Sequence, residues 1–471
     1  MRLVASTGEL AAPESALRKI GTGQQFFYSD GTFAVTLERG QADIVVERGT
    51  EYEPLRLTVD VPAHGALDVD LVLRRWVRMA EEGWYAGNTH VHYDETETRA
   101  LDRLRADPRV EDLPVFIVSR LKRRELAYAS NVFPIGLHDR SAPDHLIDVG
   151  EETRHNRSAR AEGYGHLMLI NLERLVEPLS RGLLVDDAAP DYPPLIDACR
   201  EARRQGGLAI WCHNGIGMEA PVAAALGALD GVNLFDPYWM DPEYEIWYTL
   251  LNCGLRLPAS TGSDWFVCSS NRVYVDVAGD LTYPAWLAGL REGRTFITDG
   301  PILRLTAAGH GPSNEVLAPA AGTRSLDVVV KWASALPVTA VEVVADGTVI
   351  CREENAAGAR SGTVRTSIDA SAGWVAARAW GRTRNSFDHA LWAHTSPVYV
   401  RDAPAPSIHA TAAAALIKDI DRSLEWITTQ GRFDATSQRD RIVELFREGR
   451  RVYERVEAGR PCCPRSASEP L

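Results

Sequence analysis

Apolar and polar residues alternate in short stretches through the first 80 residues of the chain. Alternation with a period of two is typical of strands that bury one face, and glycine-containing turns separate the stretches. We therefore expect a small, sandwich-like β domain over residues 1–80. Its predicted strands are Phe33–Leu37, Ile44–Val46, Leu55–Val59 and Leu67–Leu71.

After Trp84 the pattern changes to short apolar runs, each followed by a loop and often by a segment with helical spacing. Seven such runs predict a parallel α/β arrangement, closed or nearly closed into a barrel, over residues 81–310. In parallel α/β folds, ligands bind at the carboxyl ends of the strands. The predicted strands are Asn88–His92, Val115–Ser119, Leu146–Glu152, Gly165–Leu172, Leu208–His213, Val232–Phe235 and Leu257–Gly262, and the clearest predicted helices are Tyr192–Arg204, Pro221–Leu229 and Glu243–Cys253.

Strand-like alternation returns near residue 311 and predicts a second sandwich-like domain over residues 311–402. Its predicted strands are Leu326–Trp332, Val338–Val344, Thr363–Ile368, Trp374–Trp380 and Val398–Val400. Residues 403–471 contain two amphipathic segments, which predict a helical hairpin and a disordered tail. The apolar faces comprise Leu416, Ile420, Leu424 and Ile427 on the first helix, and Ile442, Phe446, Tyr453 and Val456 on the second. This pair is a candidate surface for forming a homo-oligomer.

Composition narrows the classes of function. The net charge of −13 argues against nucleic acid as the main partner, because phosphate binding needs a basic surface. No apolar run has the length of a membrane span, and the first residues lack the apolar core of a signal peptide. The seven scattered cysteines form no Cys-x-x-Cys pair and favour reduced thiols. We expect a cytoplasmic protein with a small-molecule substrate; a lost leader peptide is the alternative.

Potential metal ligands lie at the ends of the predicted strands. His90 and His92 project to the same side of an extended strand, since side chains two residues apart do so. Two neutral imidazoles on one face form half of a transition-metal site. Each residue alone has an ordinary interpretation as a buried, hydrogen-bonded side chain or a helix cap. Several such residues on separate strands favour a metal site over these ordinary interpretations. They are His90, His92, Glu151, Glu152, His166, His213 and Asp264, of which only His166 lies at the start of its strand.

Five motifs in order resemble a known family. They are Gly87–His92, Val149–Glu152, Gly165–Leu167, Trp211–Asn214 and Thr261–Asp264. The set resembles the PHP superfamily (polymerase and histidinol phosphatase domains), and more closely its carbaryl-hydrolase-like metallohydrolase branch, over roughly residues 84 to 308. The resemblance implies a distorted seven-stranded β/α barrel with a metal cluster at one end. The metal ligands that it implies are His90, His92, Glu152, His166, His213 and Asp264.

The Asp that the family has just before the His pair is Asn88 here, and two further positions depart from the family pattern. Its Thr-Asp-His after the second strand is Val118-Ser119-Arg120 here, and its x-His after Gly-Ser-Asp is Trp265-Phe266. The shortened set predicts one or two divalent ions (Zn, Mn, Fe or Co) per chain. Arg120 stays protonated and cannot be a ligand, so it is a candidate for holding an anionic substrate group, with simple exposure to solvent as the alternative. Tyr93 and Trp265 are candidates for binding an apolar or aromatic substrate, with core packing as the alternative.

Our main functional hypothesis is a metal-dependent hydrolase that activates water to cleave an ester, carbamate or phosphoester. In it, Asp264 orients or deprotonates the water, and His213 completes the catalytic pair. A dedicated phosphoesterase is the second hypothesis. The third is a degenerate barrel that binds metal or carbohydrate without hydrolase activity.

Overall fold

The structure is a computed structural model that describes residues 1–19, 24–93, 99–122, 133–158, 161–213, 216–235, 244–264 and 271–462. Over these ranges the chain is a mixed α/β protein with a large mixed sheet and seven helices. The helices are α1 (Ala100–Val110), α2 (Leu195–Arg204), α3 (Ala220–Ala225), α4 (Glu245–Asn252), α5 (Tyr283–Arg291), α6 (Pro406–Thr429) and α7 (Thr436–Glu457). No helix within the described ranges combines the length and the apolar character that crossing a membrane requires.

The strands are numbered in chain order. They are β1 (Arg2–Val4), β2 (Leu17–Arg18), β3 (Phe27–Tyr28), β4 (Gly40–Val46), β5 (Leu55–Val61), β6 (Trp84–Val91), β7 (Val115–Arg120), β8 (Gly136–Leu137), β9 (Leu146–Ser158), β10 (Ala161–Ile170), β11 (Ser180–Gly182), β12 (Leu208–Trp211), β13 (Gly231–Asn233), β14 (Ala259–Ser260), β15 (Arg272–Asp276), β16 (Thr295–Thr298), β17 (Ile302–Ala307), β18 (Ser313–Val316), β19 (Ser325–Ala333), β20 (Ala340–Ala345), β21 (Thr348–Glu354), β22 (Ser361–Asp369), β23 (Trp374–Arg384), β24 (Ala390–Thr395) and β25 (Val398–Tyr399).

All seven strands predicted for the middle of the chain are present, as β6, β7, β9, β10, β12, β13 and β14. The strands β6, β7 and β9 pair in parallel, and so do β12, β13 and β14. β10 runs antiparallel to both β9 and β12, so the prediction of an all-parallel arrangement is wrong here. The reason is the connection: β9 ends at Ser158 and β10 begins at Ala161, too close for the crossover that parallel strands need.

Two of the four strands predicted for the N-terminal part of the chain are confirmed. Ile44–Val46 and Leu55–Val59 lie within β4 and β5, which form an antiparallel sheet with β1. The strands predicted at Phe33–Leu37 and Leu67–Leu71 are wrong, because neither segment pairs with a strand. Phe33, Val35, Leu37 and Leu71 still pack on the small core around Ile44, whereas Leu67 and Val69 are exposed. The alternation in Phe33–Leu37 therefore indicates that one face packs on the core, although the segment lacks the backbone hydrogen bonds that define a strand.

The predicted C-terminal strands are present in β19, β20, β22, β23 and β25. They belong to two different sheets: β17, β19 and β22 form a three-stranded antiparallel sheet. In contrast, β23 pairs with both β20 and β24, and β24 also pairs with β16. The large sheet therefore runs on from the middle of the chain into its C-terminal part.

Both predicted C-terminal helices are confirmed, and they pack against each other as α6 and α7. Their apolar faces are buried within the chain, with Leu424 only partly so. Gly449 permits close contact between α7 and α3, since a Cβ there would lie 3.0 Å from Cα of Val222. The turn between the helices is held by Asp191, whose carboxylate accepts from the Arg432 amide at 2.8 Å and from His155 Nε2 at 2.9 Å.

Phe446→Ala should lower the free energy of unfolding by about 3–5 kcal/mol, because it removes a fully buried ring and leaves a cavity. The ring centroid of Phe446 lies 6.1 Å from that of Tyr164 on β10, so removing the ring would also remove a packing contact between α7 and the sheet. Urea denaturation followed by tryptophan fluorescence measures it. The neighbouring exposed Arg447→Ala is the control, and equal stability of the two variants would contradict the packing described.

Candidate metal centre

The end of β6 is fixed to the segment Thr261–Asp264 by backbone and amide contacts. Asn88 Oδ1 accepts from the amides of His90 and Ser263, each at 3.2 Å, and the Asp264 amide donates to the His90 carbonyl at 2.8 Å. Gly262 is required between them, because a Cβ there would lie 2.2 Å from Cβ of His90. Asn88 stands where the resembled family has Asp, and its amide both donates and accepts in this contact.

His213 and Asp264 both have left-handed backbone conformations. Their φ angles are 55° and 49°, a region that residues other than glycine rarely adopt. His213 follows β12 and Asp264 follows β14, so each strand ends in a turn that directs a ligand-type side chain. Backbone strain of this kind costs roughly 1–3 kcal/mol per residue and concentrates at functional sites.

The hairpin of β9 and β10 supplies Glu152 and His166. Because β10 is antiparallel, its first half lies at the same edge as the ends of β6, β7 and β12. For this reason His166, which is near the start of its predicted strand, lies close to ligands that come from the carboxyl ends of other strands. Its Nε2 donates to Oδ1 of Asn156 at 2.6 Å, which leaves Nδ1 unprotonated and directed at Glu152.

Four side chains form one half of the centre: His90, His92, Glu152 and Asp264. The two Nε2 atoms lie 3.1 Å apart. Oε2 of Glu152 lies 3.0 Å from His92 Nε2 and 3.6 Å from His90 Nε2, and Oδ1 of Asp264 lies 3.2 and 3.6 Å from the same atoms. Ligand atoms that share a tetrahedral ion with bonds of about 2.0–2.2 Å are about 3.4 Å apart. The five separations have this spacing.

Three side chains form the other half: Glu152, His166 and His213. Nδ1 of His166 lies 2.9 Å from His213 Nε2 and 3.2 Å from Oε1 of Glu152, and the His213 nitrogen lies 3.6 Å from the same oxygen. Glu152 thus directs one oxygen to each half, as a carboxylate that bridges two ions does. Each of the two sets His90–His92–Glu152 and Glu152–His166–His213 could hold a divalent ion.

The protonation states suit metal binding. Glu152 is 1% exposed, and neither of its oxygens accepts a well-formed hydrogen bond from the described residues. Burial alone would raise the pKa of its carboxyl, but Arg154 and the surrounding imidazoles hold this pKa well below its usual range. Burial and the nearby Arg154 lower the pKa of His166 to about 3. At neutral pH the centre therefore offers an ionised carboxylate and a neutral imidazole, the forms that bind metal.

The predicted ligand set is brought together in full, whereas the predicted substrate contacts are not. Arg120 lies beside Glu151 in the pairing of β7 with β9, and Glu152 faces the opposite side of that strand. Tyr93 is buried beneath α1, where its hydroxyl donates to Asp107 at 2.9 Å. Neither residue has a contact with the ligand cluster among those described. Trp265 lies outside the described residues.

Two residues of the centre were missed from the sequence, Arg154 and Asn156. Both lie on β9 and share the face of Glu152, because they follow it at intervals of two residues. The predicted strand ended at Glu152, but β9 continues to Ser158. Residues 153–158 are all polar, so no alternation past Glu152 indicated either residue.

Comparison with known proteins found no matching family model, no matching curated protein and no matching solved structure. The chemistry of the centre is therefore inferred from its own geometry.

Glu152→Gln should abolish metal retention, because it removes the carboxylate that both halves share. Glu151→Gln is the matched control, since this neighbour faces the other side of β9 and accepts from the Val176 amide at 2.7 Å. Elemental analysis after dialysis without chelator measures the ions per chain. Equal metal content in the two variants would contradict the assignment.

Stability should depend on pH through Glu151. Burial raises the pKa of this carboxyl from 4.5 to about 8. An acid whose folded pKa lies above its unfolded value favours folding when protonated, so this contribution is lost as the pH rises from 4.5 to about 8. The free energy of unfolding of Glu151→Gln, measured by urea denaturation, should fall less over this range than that of the wild type. Identical pH profiles would contradict the burial of an ionisable group there.

Proposed function

We propose that the chain is a PHP-like metal-dependent hydrolase that uses two divalent ions to cleave an ester, carbamate or phosphoester of a small substrate. The observation that carries the proposal is the spacing of the ligand atoms. Seven side-chain atoms from six residues lie in two sets with separations of 2.9–3.6 Å, joined by the two oxygens of Glu152. Hydrogen bonding does not account for the contacts of Glu152, since neither of its oxygens accepts a hydrogen bond from the described residues.

The proposed fold is the distorted seven-stranded barrel that the resemblance implies. It is supported by the order of the seven strands and by the position of the ligands at one edge of them. The family assignment is supported by the same ligands, each at the motif position that predicts it.

The two halves are suited to different tasks. The half with His90, His92, Glu152 and Asp264 has four protein ligands, the number typical of a closed tetrahedral site. The half with Glu152, His166 and His213 has three, the number typical of catalytic sites that keep a position open for water or substrate. We therefore assign the reacting water to the side of His166 and His213.

A divalent ion held there by Glu152, His166 and His213 would lower the pKa of water and polarise the carbonyl or phosphoryl oxygen of the substrate. The water oxygen forms a bond to the carbonyl carbon or phosphorus, and the bond to the leaving oxygen or nitrogen breaks. Asp264, which is close enough to His213 for their charges to interact, would orient the water and accept its proton, which would then pass to the leaving group. Burial alone would raise the pKa of the Asp264 carboxyl, but His90, His92 and His213 hold this pKa below its usual range, so the group is ionised at neutral pH.

The test is hydrolysis of naphthyl carbamates, aryl acetates and nitrophenyl phosphates by protein of known metal content. His213→Ala should reduce kcat/KM on the order of 100-fold or more and lower the metal content from about two ions to about one, because it opens only one half. His310→Ala, an exposed histidine, should change neither quantity.

Two outcomes would decide against the proposal. Wild-type protein that retains less than about a quarter of an ion per chain would exclude a resident metal. Full metal content without turnover of any substrate would instead support the alternative of a metal-binding protein without hydrolase activity.

A further inference from the structure

One buried cation lies at the centre and takes no part in holding metal. Arg154 is 7% exposed and follows Glu152 by two residues on β9. Its Nη2 lies 3.3 Å from Nδ1 of His166, and its Nε lies 3.5 Å from Oε1 of Glu152. Among the described residues no group accepts a hydrogen bond from this Nε.

Arg154 compensates part of the charge of Glu152, but its charge is in excess once two ions are bound. The nearby described carboxylates are the proposed ligands Glu152 and Asp264 together with Glu162, whose Oε1 lies 3.9 Å from Nδ1 of His166. Their three negative charges would leave two divalent ions and Arg154 with an excess of two positive charges. A buried charge is strongly unfavourable unless an opposite charge accompanies it. The centre with both ions bound therefore requires an anion.

The position of Arg154 indicates where that anion binds. The guanidinium is beside the half formed by Glu152, His166 and His213, which has only three protein ligands. Asn156, the next residue on the same face, is already bonded to His166 Nε2. Arg120, the cation predicted to hold an anionic group, faces Glu151 on the other side of the strand. Of these three side chains, Arg154 is the one that carries a positive charge, lies on the same face of β9 as Glu152, and has an N–H group (Nε) without an acceptor among the described residues.

We propose that Arg154 binds an anionic oxygen of the substrate, a carboxylate or phosphoryl oxygen adjacent to the bond that is cleaved. The inference rests on the proposed hydrolase function and adds the charge of the substrate to it. A guanidinium stays protonated, so it acts by binding and orienting the oxygen and transfers no proton. Its planar fork of N–H groups matches the geometry of two oxygens on one carbon or phosphorus.

The first test uses inorganic phosphate as the probe on metal-loaded protein, with affinity measured by titration calorimetry. Arg154→Met should weaken phosphate binding by about 10- to 100-fold, the range expected for loss of a hydrogen bond between charged groups. Arg154→Lys should recover part of the loss. Arg157→Met is the matched control, because Arg157 is exposed and faces the other side of β9. Metal content should be unchanged in all three.

The second test compares aryl esters with and without a carboxylate beside the ester, together with nitrophenyl phosphate. Arg154→Met should lower kcat/KM only for the anionic substrates, chiefly by raising KM. A larger loss with the carboxylate or with the phosphate identifies which oxyanion the site prefers.

The proposal would be overturned by unchanged phosphate affinity in Arg154→Met, by an equal loss in Arg157→Met, or by loss of metal in both Arg154 variants. In the last case Arg154 would serve only to support the ligands. If the wild-type protein hydrolyses none of these substrates, the proposed hydrolase function fails, whereas the phosphate titration still decides the role of Arg154.

Discussion

The structure of the centre depends on the burial of one carboxylate. Glu152 is almost completely shielded from solvent, and four imidazoles approach it. A carboxylate cannot remain ionised in such a place unless positive charge compensates it. Arg154 supplies part of that charge, and the spacing of the nitrogens is suited to ions supplying the rest. The strand ends, the strained turns and the antiparallel hairpin all contribute to bringing these groups around two oxygens.

Much of the centre could be predicted from the sequence because its ligands lie at strand ends, where alternation stops and polar residues begin. His90, His92, His213 and Asp264 follow this rule. Glu152 does not, since β9 continues to Ser158. His166 does not either, since a strand that runs antiparallel presents its first half at this edge. Pairing direction depends on the length of a connection, and the boundaries of β9 and β10 could not be located from alternation alone.

Side-chain direction was the less predictable part. Arg120 and Glu151 are paired across β7 and β9, so a shift of one residue would have placed Arg120 at the metal ligands. The sequence contains no signal for that register, which is set by the packing of both sheet faces. The segment Phe33–Leu37 shows the same limit: its alternation gives the buried face correctly, but strand pairing depends on partners distant in sequence. In Leu67–Leu71 even the face is not indicated, since Leu67 and Val69 are exposed.

The order of the ligands along the chain has a consequence for biosynthesis. Glu152, His166 and His213 are all translated before Asp264, although His90 and His92 are made first. The half with three ligands is therefore complete in sequence while the closed half still lacks its fourth side chain. The backbone bond between His90 and Asp264 joins positions 174 residues apart and forms only after both have left the ribosome. The closed half would therefore be able to hold an ion only after Asp264 has been synthesised and its turn has folded onto the end of β6.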